Sequence, residues 1–342
     1  MENNIKSKKN KTPKVSIVIV NFNGIKHLKK CLKSIRNQSY RNIEIIIIDS
    51  YTTEESEAYL KQQKDIKYYL YKENLGYGKG NNIGVHTASG EFVFIINNDT
   101  ALFKKTIDNL VSAFEDHTIL IPLQIINKGK IKVEVAGNSI DPFGYPYGFK
   151  DLCTSNKLFY ADGAAIFLRK NDFVNIGGFD EELFMFQEDI DFSWRALLYD
   201  YRLKQVLKAK LHHYSGGSIQ GGTAVDKNYK LSYFRRYYND RNVIANIIKN
   251  FTLPTICITL PILTTFHLLE IILFSLKGDF RVAKLYIKAY KWIFANLHIL
   301  SLKRKVVQSR RIKGDVFILK KTTLGYSKLT AMLRLGGIPK FN

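Results

Sequence analysis

The stretch ENLGYGKGNNIGVHTASGEFVFIINNDT, residues 73–100, decides the fold. It opens with a glycine-rich loop (76–80), continues with a short segment of helical character (81–88) and ends in an apolar run (92–96). The run holds only aromatic and β-branched residues, and it is bounded by polar residues. This pattern predicts a strand that is buried on both faces.

Polar residues follow this strand directly, in the order Asn97, Asn98, Asp99. In an open α/β sheet, ligands bind just beyond the carboxyl ends of the strands. An acidic residue there can hold a hard cation, and the cation can neutralise a diphosphate. The same residues, with Thr100, also fit the start of a helix predicted for 101–115, which they would cap. Both interpretations stay open on this stretch alone.

The preceding part of the chain alternates strands with helices. This alternation predicts an α/β fold with a mostly parallel, nucleotide-binding sheet and right-handed crossovers. The glycines read G-x-G-x-G, which is neither the dinucleotide fingerprint nor a phosphate loop. Asp49 ends the second predicted strand, where it can bond a nucleoside or, equally, its own turn backbone. The predicted strands are 15–20, 43–48 and 66–71, and the predicted helices are 25–37 and 54–63.

Composition narrows the class of protein. The 342 residues are enough for one large domain or two modest ones, and a hydrophobic content of 46% excludes wholesale disorder. The formal net charge of +22 predicts an anionic partner: nucleic acid, a membrane surface or a phosphorylated substrate. Residues 1–14 form a basic, disordered tail without the apolar core of a secretion signal, and the three cysteines are widely spaced. We therefore expect a reducing, cytoplasmic location.

An acidic cluster opens a predicted amphipathic helix in the second half of the chain. Its members are Glu188, Asp189 and Asp191. Acidic residues are favoured in a first helical turn in any case, because of the helix dipole. A carboxylate here can also take the proton of an acceptor hydroxyl. We favour Asp189 for that role, with Glu188 and Asp191 orienting it or pairing with Arg195.

Three other segments of the second half bear on function. His212 and His213 follow a predicted strand, where an imidazole can approach a phosphate or a metal, and we favour His213. Asp162-Gly163 begins another strand; small residues there would let a donor sugar lie against the backbone, although strand packing explains them equally. Residues 121–157 are rich in Gly, Pro and Tyr and predict a long irregular loop beside the acceptor site.

The last hundred residues differ from the rest of the chain in composition. Residues 251–276 are mostly apolar and long enough to cross a bilayer of about 30 Å, but prolines and Glu270 favour a flat or re-entrant arrangement. Residues 277–321 hold thirteen Lys and Arg against two acids, with aromatics interleaved. Basic amphipathic segments beside an apolar one predict helices that lie on an anionic membrane surface. A merely solvated charged face is the alternative.

Taken together and in order, these motifs resemble the family 2 glycosyltransferases, which have the GT-A fold. Within that family the chain is most similar to non-processive, rhamnosyltransferase-like members, since it lacks the Gln-x-x-Arg-Trp signature of processive synthases. No single motif is specific, but their order is. The motifs are VSIVIVNFNG (15–24), Asp49, NLGYGKGNN (74–82), FIINNDT (94–100), YADGAAIFLRK (160–170), GGFDEELFMFQEDIDFSWR (177–195) and HHYSGGS (212–218).

The resemblance implies a role for each matching residue. Asp99 would bind Mg²⁺ or Mn²⁺ with His213 beside it, and Asp189 would be the catalytic base. Glu188 and Asp191 form the supporting acidic cluster. The donor-binding residues would be Asn21, Asp49, Asn74, Gly76, Asn81, Asn97, Asn98, Asp162 and Gly163.

Two positions depart from the family pattern. Asn97 stands where the first acid of the Asp-x-Asp metal motif is usual, which implies lower metal affinity. Ser50 follows Asp49 where an asparagine is usual.

The sequence therefore predicts an inverting glycosyltransferase that uses a nucleotide-sugar donor and a lipid-linked or cell-surface glycan acceptor. Residues 15–225 would form the GT-A domain, and residues 226–342 a helical, basic region at the cytoplasmic face of the cell membrane. A nucleotidyltransferase of similar α/β fold is an alternative, but it would not predict the acids and histidines of the second half. A basic nucleic-acid-binding module is a third possibility; no such motif is evident, and we expect no nucleic acid partner.

Overall fold

The computed structural model describes residues 12–128, 131–135, 137–147, 157–214, 230–335 and 340–341. Three predicted features lie wholly or partly outside the described residues. They are the 1–14 tail, the end of the 121–157 loop and the glycines that follow His213. The strands are β1 (Val15–Asn21), β2 (Ile43–Ser50), β3 (Lys67–Tyr71), β4 (Phe92–Asn97), β5 (Thr100–Leu102), β6 (Thr118–Lys128), β7 (Ile131–Val135), β8 (Ser139–Ile140), β9 (Pro146–Tyr147), β10 (Ala165–Arg169), β11 (Arg202–His213), β12 (Lys230–Leu231) and β13 (Lys340–Phe341). The helices are α1 (Ile25–Arg36), α2 (Glu54–Lys61), α3 (Gly76–Thr87), α4 (Thr106–Ala113), α5 (Lys170–Ile176), α6 (Glu188–Leu198), α7 (Tyr233–Asn250), α8 (Leu253–Leu276), α9 (Phe280–Ala295), α10 (Leu297–Arg310), α11 (Asp315–Lys320) and α12 (Ser327–Leu335).

One large sheet organises the described part of the chain. Its order is β3-β2-β1-β4-β10-β6-β11-β5, with β7 paired to β6. The first four strands in this order run parallel to one another, and β10 is antiparallel to both of its neighbours. The carboxyl ends of β1, β2 and β4 therefore meet at one edge of the sheet, where ligands bind in such folds.

Side chains of the central strands alternate between two apolar layers. Val18 and Ile95 face one layer, which includes α3, α5 and α6. Ile17 and Phe94 face the other, which includes α1 and α4. Because both faces are covered, each strand is a continuous apolar run, as the sequence predicted.

The glycines of the 76–80 segment lie inside α3, which begins five residues earlier than predicted. A Cβ on Gly80 would lie 2.8 Å from Val20 Cγ2, and one on Gly84 would lie 2.3 Å from Val18 Cγ1. The helix thus packs on β1 at a distance that only glycine permits. This close packing outweighs the low helix propensity of glycine.

Three other local predictions were wrong. Asp99 does not cap a helix over 101–115, because the next residues form β5 against β11, and α4 begins only at Thr106. Strand β11 continues to His213, so the two histidines lie within it. The segment 121–157 is largely strand where it is described, since β6 extends through its first part and pairs with β7. Pairing with distant strands decided each case.

The C-terminal helices share a core with the α/β part of the chain. Phe251 packs edge-on against Trp194 of α6, with 4.7 Å between ring centroids. Leu263 of α8 and Leu300 of α10 are buried in the same cluster. The helical region is therefore integral to the folded body.

Helix α8 turns its polar residues inward. By length and composition it is the one described helix that could cross a membrane. Glu270 accepts hydrogen bonds from Tyr286 (2.8 Å) and Tyr326 (2.6 Å) and pairs with Arg236. The buried stripe is Thr259, Leu263, His267, Glu270 and Phe274, whereas Leu253, Ile258, Ile262, Leu268, Leu269, Ile272 and Leu276 are exposed.

Candidate active site

A chain of polar side chains links the ends of three parallel strands. Asn21 pairs in register with Asp49, and Val20 with Asn97, so these ends are adjacent. The Asn98 amide donates to Asn21 Oδ1 at 2.7 Å, and the Asn21 amide donates to Asp49 Oδ1 at 2.6 Å. The structure therefore brings these predicted donor-binding residues together.

Asp49 is buried below this edge of the sheet and is not exposed to solvent. Its second carboxylate oxygen accepts a hydrogen bond from Ser56 Oγ at 2.6 Å, and the residue is 1% exposed. Here the carboxylate holds Asn21 and the start of α2. The predicted contact with a nucleoside would use a further lone pair of this carboxylate and would require the covering side chains to move.

The start of α3 brings the predicted donor loop next to the segment before the acidic cluster. Asn74 accepts a hydrogen bond from the Gly76 amide at 3.0 Å, and the Tyr77 amide donates to the Phe184 carbonyl at 3.0 Å. Gly76 has a φ of +72°, and a Cβ there would meet that carbonyl at 2.3 Å. Asn81 is buried further along the helix and donates to the Tyr77 carbonyl. The Asn81 amide nitrogen thus supports the helix backbone, while its Oδ1 has no hydrogen-bond partner among the described residues.

Asp99 and His213 meet across the sheet edge. Pairing of β5 with β11 places His213 opposite Thr100, and 3.3 Å separates Asp99 Oδ1 from His213 Nε2. Gln124 Oε1 lies 3.1 Å from the other ring nitrogen of His213. Burial lowers the pKa of His213, but Asp99 outweighs it and the net shift is upward from 6.5. Burial likewise raises the pKa of Asp99, and His213 overcomes this and lowers it below 3.8.

This pair fits a divalent cation. Asp99 Oδ1 is buried, and apart from the 3.3 Å approach of His213 Nε2 it has no hydrogen-bond partner among the described residues, so it can serve as an oxygen ligand. A carboxylate and an imidazole suit Mn²⁺ well and Mg²⁺ through the carboxylate. The described residues contain no group of three His, Cys, Asp or Glu side chains that could enclose a metal. Donor phosphates and water would complete the coordination, as is usual for such ions.

Asp189 lies half-buried in the first turn of α6. Its Oδ2 accepts a hydrogen bond from the Gly163 amide at 3.0 Å, and its Oδ1 accepts one from the Ile190 amide at 2.8 Å. Burial and the charge of Asp162 raise the pKa of Asp189 from 3.8 to about 7, against the effect of both amides. A carboxylate with such a pKa is well matched to proton abstraction near neutral pH.

Asp162 connects the two halves of the site. Its carboxylate accepts a hydrogen bond from the Ala164 amide at 2.9 Å, which fixes the turn before β10. Its charge raises the pKa of both Asp189 and His213. The turn 162–163 therefore lies within electrostatic reach of the candidate base and of the candidate metal ligands.

The other two acids of the cluster, Glu188 and Asp191, differ from Asp189 and from each other in their pKa shifts and their partners. Glu188 is buried, and burial together with the charge of Asp189 raises its pKa well above the usual value. Asp191 is fully buried and pairs with Arg195 (2.8 Å) and Lys249 (2.9 Å). Asp191 is thus part of a structural ion pair.

Sequence reasoning missed Tyr77 and Gln124. The Tyr77 hydroxyl donates to the Gly163 carbonyl, in the same turn whose amide holds Asp189. Gln124 contacts His213, and a single glutamine in the apolar run of β6 was the signal that could have revealed it.

The fold and this site define a class of protein. The chain has a GT-A-like α/β fold with a C-terminal helical region that contains one apolar helix. Residues 16–177 match the family described as Glycosyl transferase family 2. Residues 16–177 are therefore similar to family 2 glycosyltransferases, in agreement with the motifs.

Similar proteins include characterised and putative transferases. The chain is 32% identical over 138 residues to GalNAc(5)-diNAcBac-PP-undecaprenol beta-1,3-glucosyltransferase of Campylobacter jejuni, covering 38% of this chain and 44% of that protein. It is 32% identical over 114 residues to the putative glycosyltransferase EpsH of Bacillus subtilis, covering 32% and 33%. The chain thus matches less than half the length of these relatives. The crystal structure of GalNAc-T7 with UDP, GalNAc and Mn²⁺ shares the fold, with a TM-score of 0.57 and 16% identity over 70% of this chain and 48% of that one.

Proposed function

We propose that the protein is an inverting, metal-dependent glycosyltransferase that moves a sugar from a nucleoside diphosphate to a lipid-linked or cell-surface glycan. The observation that carries this proposal is the environment of Asp189. This carboxylate has a pKa near neutrality, is anchored by the Gly163 amide and shares the electrostatic influence of Asp162 with His213. The common neighbour Asp162 supports the proposal that the base and the metal ligands belong to one site.

The proposed reaction is a single displacement. The acceptor oxygen attacks the anomeric carbon as the bond from that carbon to the diphosphate breaks, and Asp189 takes the hydroxyl proton. A cation held by Asp99 and His213 would stabilise the negative charge of the departing diphosphate. Attack from the face opposite the leaving group inverts the anomeric configuration.

The donor would lie along the strand ends, and the similar proteins indicate which compounds to test first. UDP is present in the GalNAc-T7 structure, and the acceptor of the Campylobacter relative carries undecaprenyl diphosphate. UDP-sugars are the first donors to test, and polyprenyl-linked glycans are the first acceptors. Transfer from dTDP-rhamnose would test the proposal that the protein is a rhamnosyltransferase-like, non-processive enzyme.

We also propose that residues 226–342, which follow the GT-A domain of residues 15–225, hold the enzyme at the cytoplasmic face of the membrane. One face of α8 exposes seven large apolar side chains, whereas Glu270 and His267 on the other face are buried against the protein. A helix with its polar side occupied by its own protein fits a flat position on the lipid surface better than a solitary span. The nearby lysines and arginines would add attraction to anionic lipid, about 1 kcal/mol for each one close to the surface.

The test is release of nucleoside diphosphate from a panel of nucleotide sugars, with and without Mn²⁺, in the presence of polyprenyl-linked acceptors. Asp189→Asn should abolish most of the release, and chelation of the metal should do the same. Asp116→Asn is the matched control, because it makes the same change in an exposed ion pair with Arg169. Equal release by the Asp189 variant would refute the proposal, as would consumption of nucleoside triphosphates in place of nucleotide sugars.

A further inference from the structure

The segment that leads into the candidate base has an unusual backbone. Phe184, Phe186 and Gln187 have φ angles of 60°, 64° and 72°, in the left-handed region that side chains other than glycine rarely adopt. Three such residues within four positions persist only where the surrounding structure enforces them. Gln187 directly precedes α6, in whose first turn Asp189 lies.

Helix α7 supplies the groups that enforce this backbone. Asn242 is completely buried, and the two N–H groups of its side-chain amide are shared among three carbonyls of the segment, all within hydrogen-bond distance. Its own oxygen accepts a hydrogen bond from Arg241 Nε at 2.7 Å, which fixes the orientation of the amide. The bonds to the segment are Asn242 Nδ2 to the carbonyls of Leu183 (2.9 Å), Met185 (3.0 Å) and Phe186 (2.7 Å), Arg241 Nη2 to those of Glu182 (2.9 Å) and Leu183 (2.8 Å), and Asn246 Nδ2 to that of Gln187 (3.2 Å).

The opposite side of the segment contacts the predicted donor loop. The Phe184 carbonyl accepts the Tyr77 amide, and only a glycine fits at position 76 beside it. Tyr77 in turn binds the Gly163 carbonyl, and the Gly163 amide binds Asp189. The segment 182–187 is thus held between α7 and the start of α3, and both contacts bear on the position of the base.

We propose that Asn242 is a positioning residue for Asp189, an inference that rests on the proposed function. Asn242 holds the left-handed turn, the turn sets where α6 begins, and the start of α6 directs Asp189 toward the Gly163 amide. Without the amide donor, the carbonyls of Met185 and Phe186 lose their bond to α7, although Arg241 still holds that of Leu183, and the turn relaxes to ordinary backbone angles. Asn242 acts through this turn and does not need to touch a substrate.

Asn242→Asp tests the proposal, because it keeps the shape and removes the donor. With the donor sugar that the panel identifies, we expect kcat to fall by about 100-fold while the donor KM changes by less than about two-fold. Asn246→Ala removes only one bond and should give a smaller fall in kcat. Asn239→Asp is the matched control, with the same change three residues earlier on α7 at a half-buried position. A kcat within two-fold of the wild type for Asn242→Asp would overturn the proposal.

Amide hydrogen exchange distinguishes a positioning role of Asn242 from general destabilisation of the fold. It also shows whether the positioning role or the proposed function has failed. In Asn242→Asp and Asn246→Ala, exchange should accelerate in peptides that cover 182–191 and stay unchanged in β1 and β2. Equal acceleration in β1 and β2 would mean global loosening and would overturn the positioning role. If the wild type transfers no sugar from any donor while the local acceleration is seen, the proposed function fails and the dependence of the turn on Asn242 stands.

Discussion

Sugar transfer should fall steeply as the pH is lowered, because Asp189 loses its negative charge. Burial and Asp162 raise the pKa of Asp189 from 3.8 to about 7. The group is a base only when deprotonated, so activity is present above that pKa and is lost below it. About half of the carboxylate is ionised at pH 7, about a tenth at pH 6 and about a hundredth at pH 5. An aspartate of ordinary pKa would stay more than about nine-tenths ionised throughout this range.

The assay is kcat/KM for sugar transfer across this pH range, which reports the ionisations of the free enzyme. Asp189→Asn should lower the rate by about 10²–10⁴-fold and leave a residual activity that no longer depends on this ionisation. Asp162→Asn should move the acidic limb to lower pH, because it removes a charge that raises the pKa of Asp189. Asp116→Asn should leave the profile unchanged.

His213 provides the sharpest way to refute this reasoning. Burial lowers the pKa of His213, but Asp99 raises it above 6.5, so His213 is a second titratable group of the candidate site. If the residual activity of Asp189→Asn keeps the same acidic limb, the limb belongs to another group and the assignment of the base is wrong. A profile that stays flat down to pH about 5 in the wild type would contradict the raised pKa itself.

Four other outcomes are expected. Asp99→Ala should abolish transfer and Mn²⁺ binding by calorimetry with little change in melting temperature; retained Mn²⁺ binding would remove Asp99 from the metal site. The product should have the opposite anomeric configuration to the donor, and NMR coupling constants that show retention would exclude a single displacement. Replacing Ile258 and Leu269 together by Glu should release the protein from phosphatidylglycerol vesicles without altering the melting temperature, whereas undiminished binding would place the membrane surface elsewhere. Gly84→Ala should cost about 1–3 kcal/mol in denaturant unfolding by overpacking against β1; Gly314→Ala, where a Cβ meets nothing within 4 Å, is the control and should change stability by less than about 0.5 kcal/mol.

The sequence alone was sufficient for the parallel half of the sheet. Strands β1, β2 and β4 are buried on both faces, so their apolar runs could be recognised without knowing their partners. The parallel arrangement then places Asn21, Asp49 and Asn97 at one edge by geometry alone. The order of the motifs also predicted the similarity of residues 16–177 to family 2 glycosyltransferases.

Only the tertiary structure decided how the candidate site is assembled. Asp99 meets His213 because β5 pairs antiparallel with β11, a contact more than a hundred residues apart that no local pattern encodes. The pKa of Asp189 depends on burial and on Asp162, and the turn before it depends on Asn242 of a helix that the sequence assigned only to the C-terminal region. The sequence identified α8 as apolar, but whether Glu270 faces lipid or protein depends on Arg236 and Tyr286, which lie on other helices. Local propensity determines which segments are strands and helices, whereas burial and charge depend on neighbours that only the folded chain brings together.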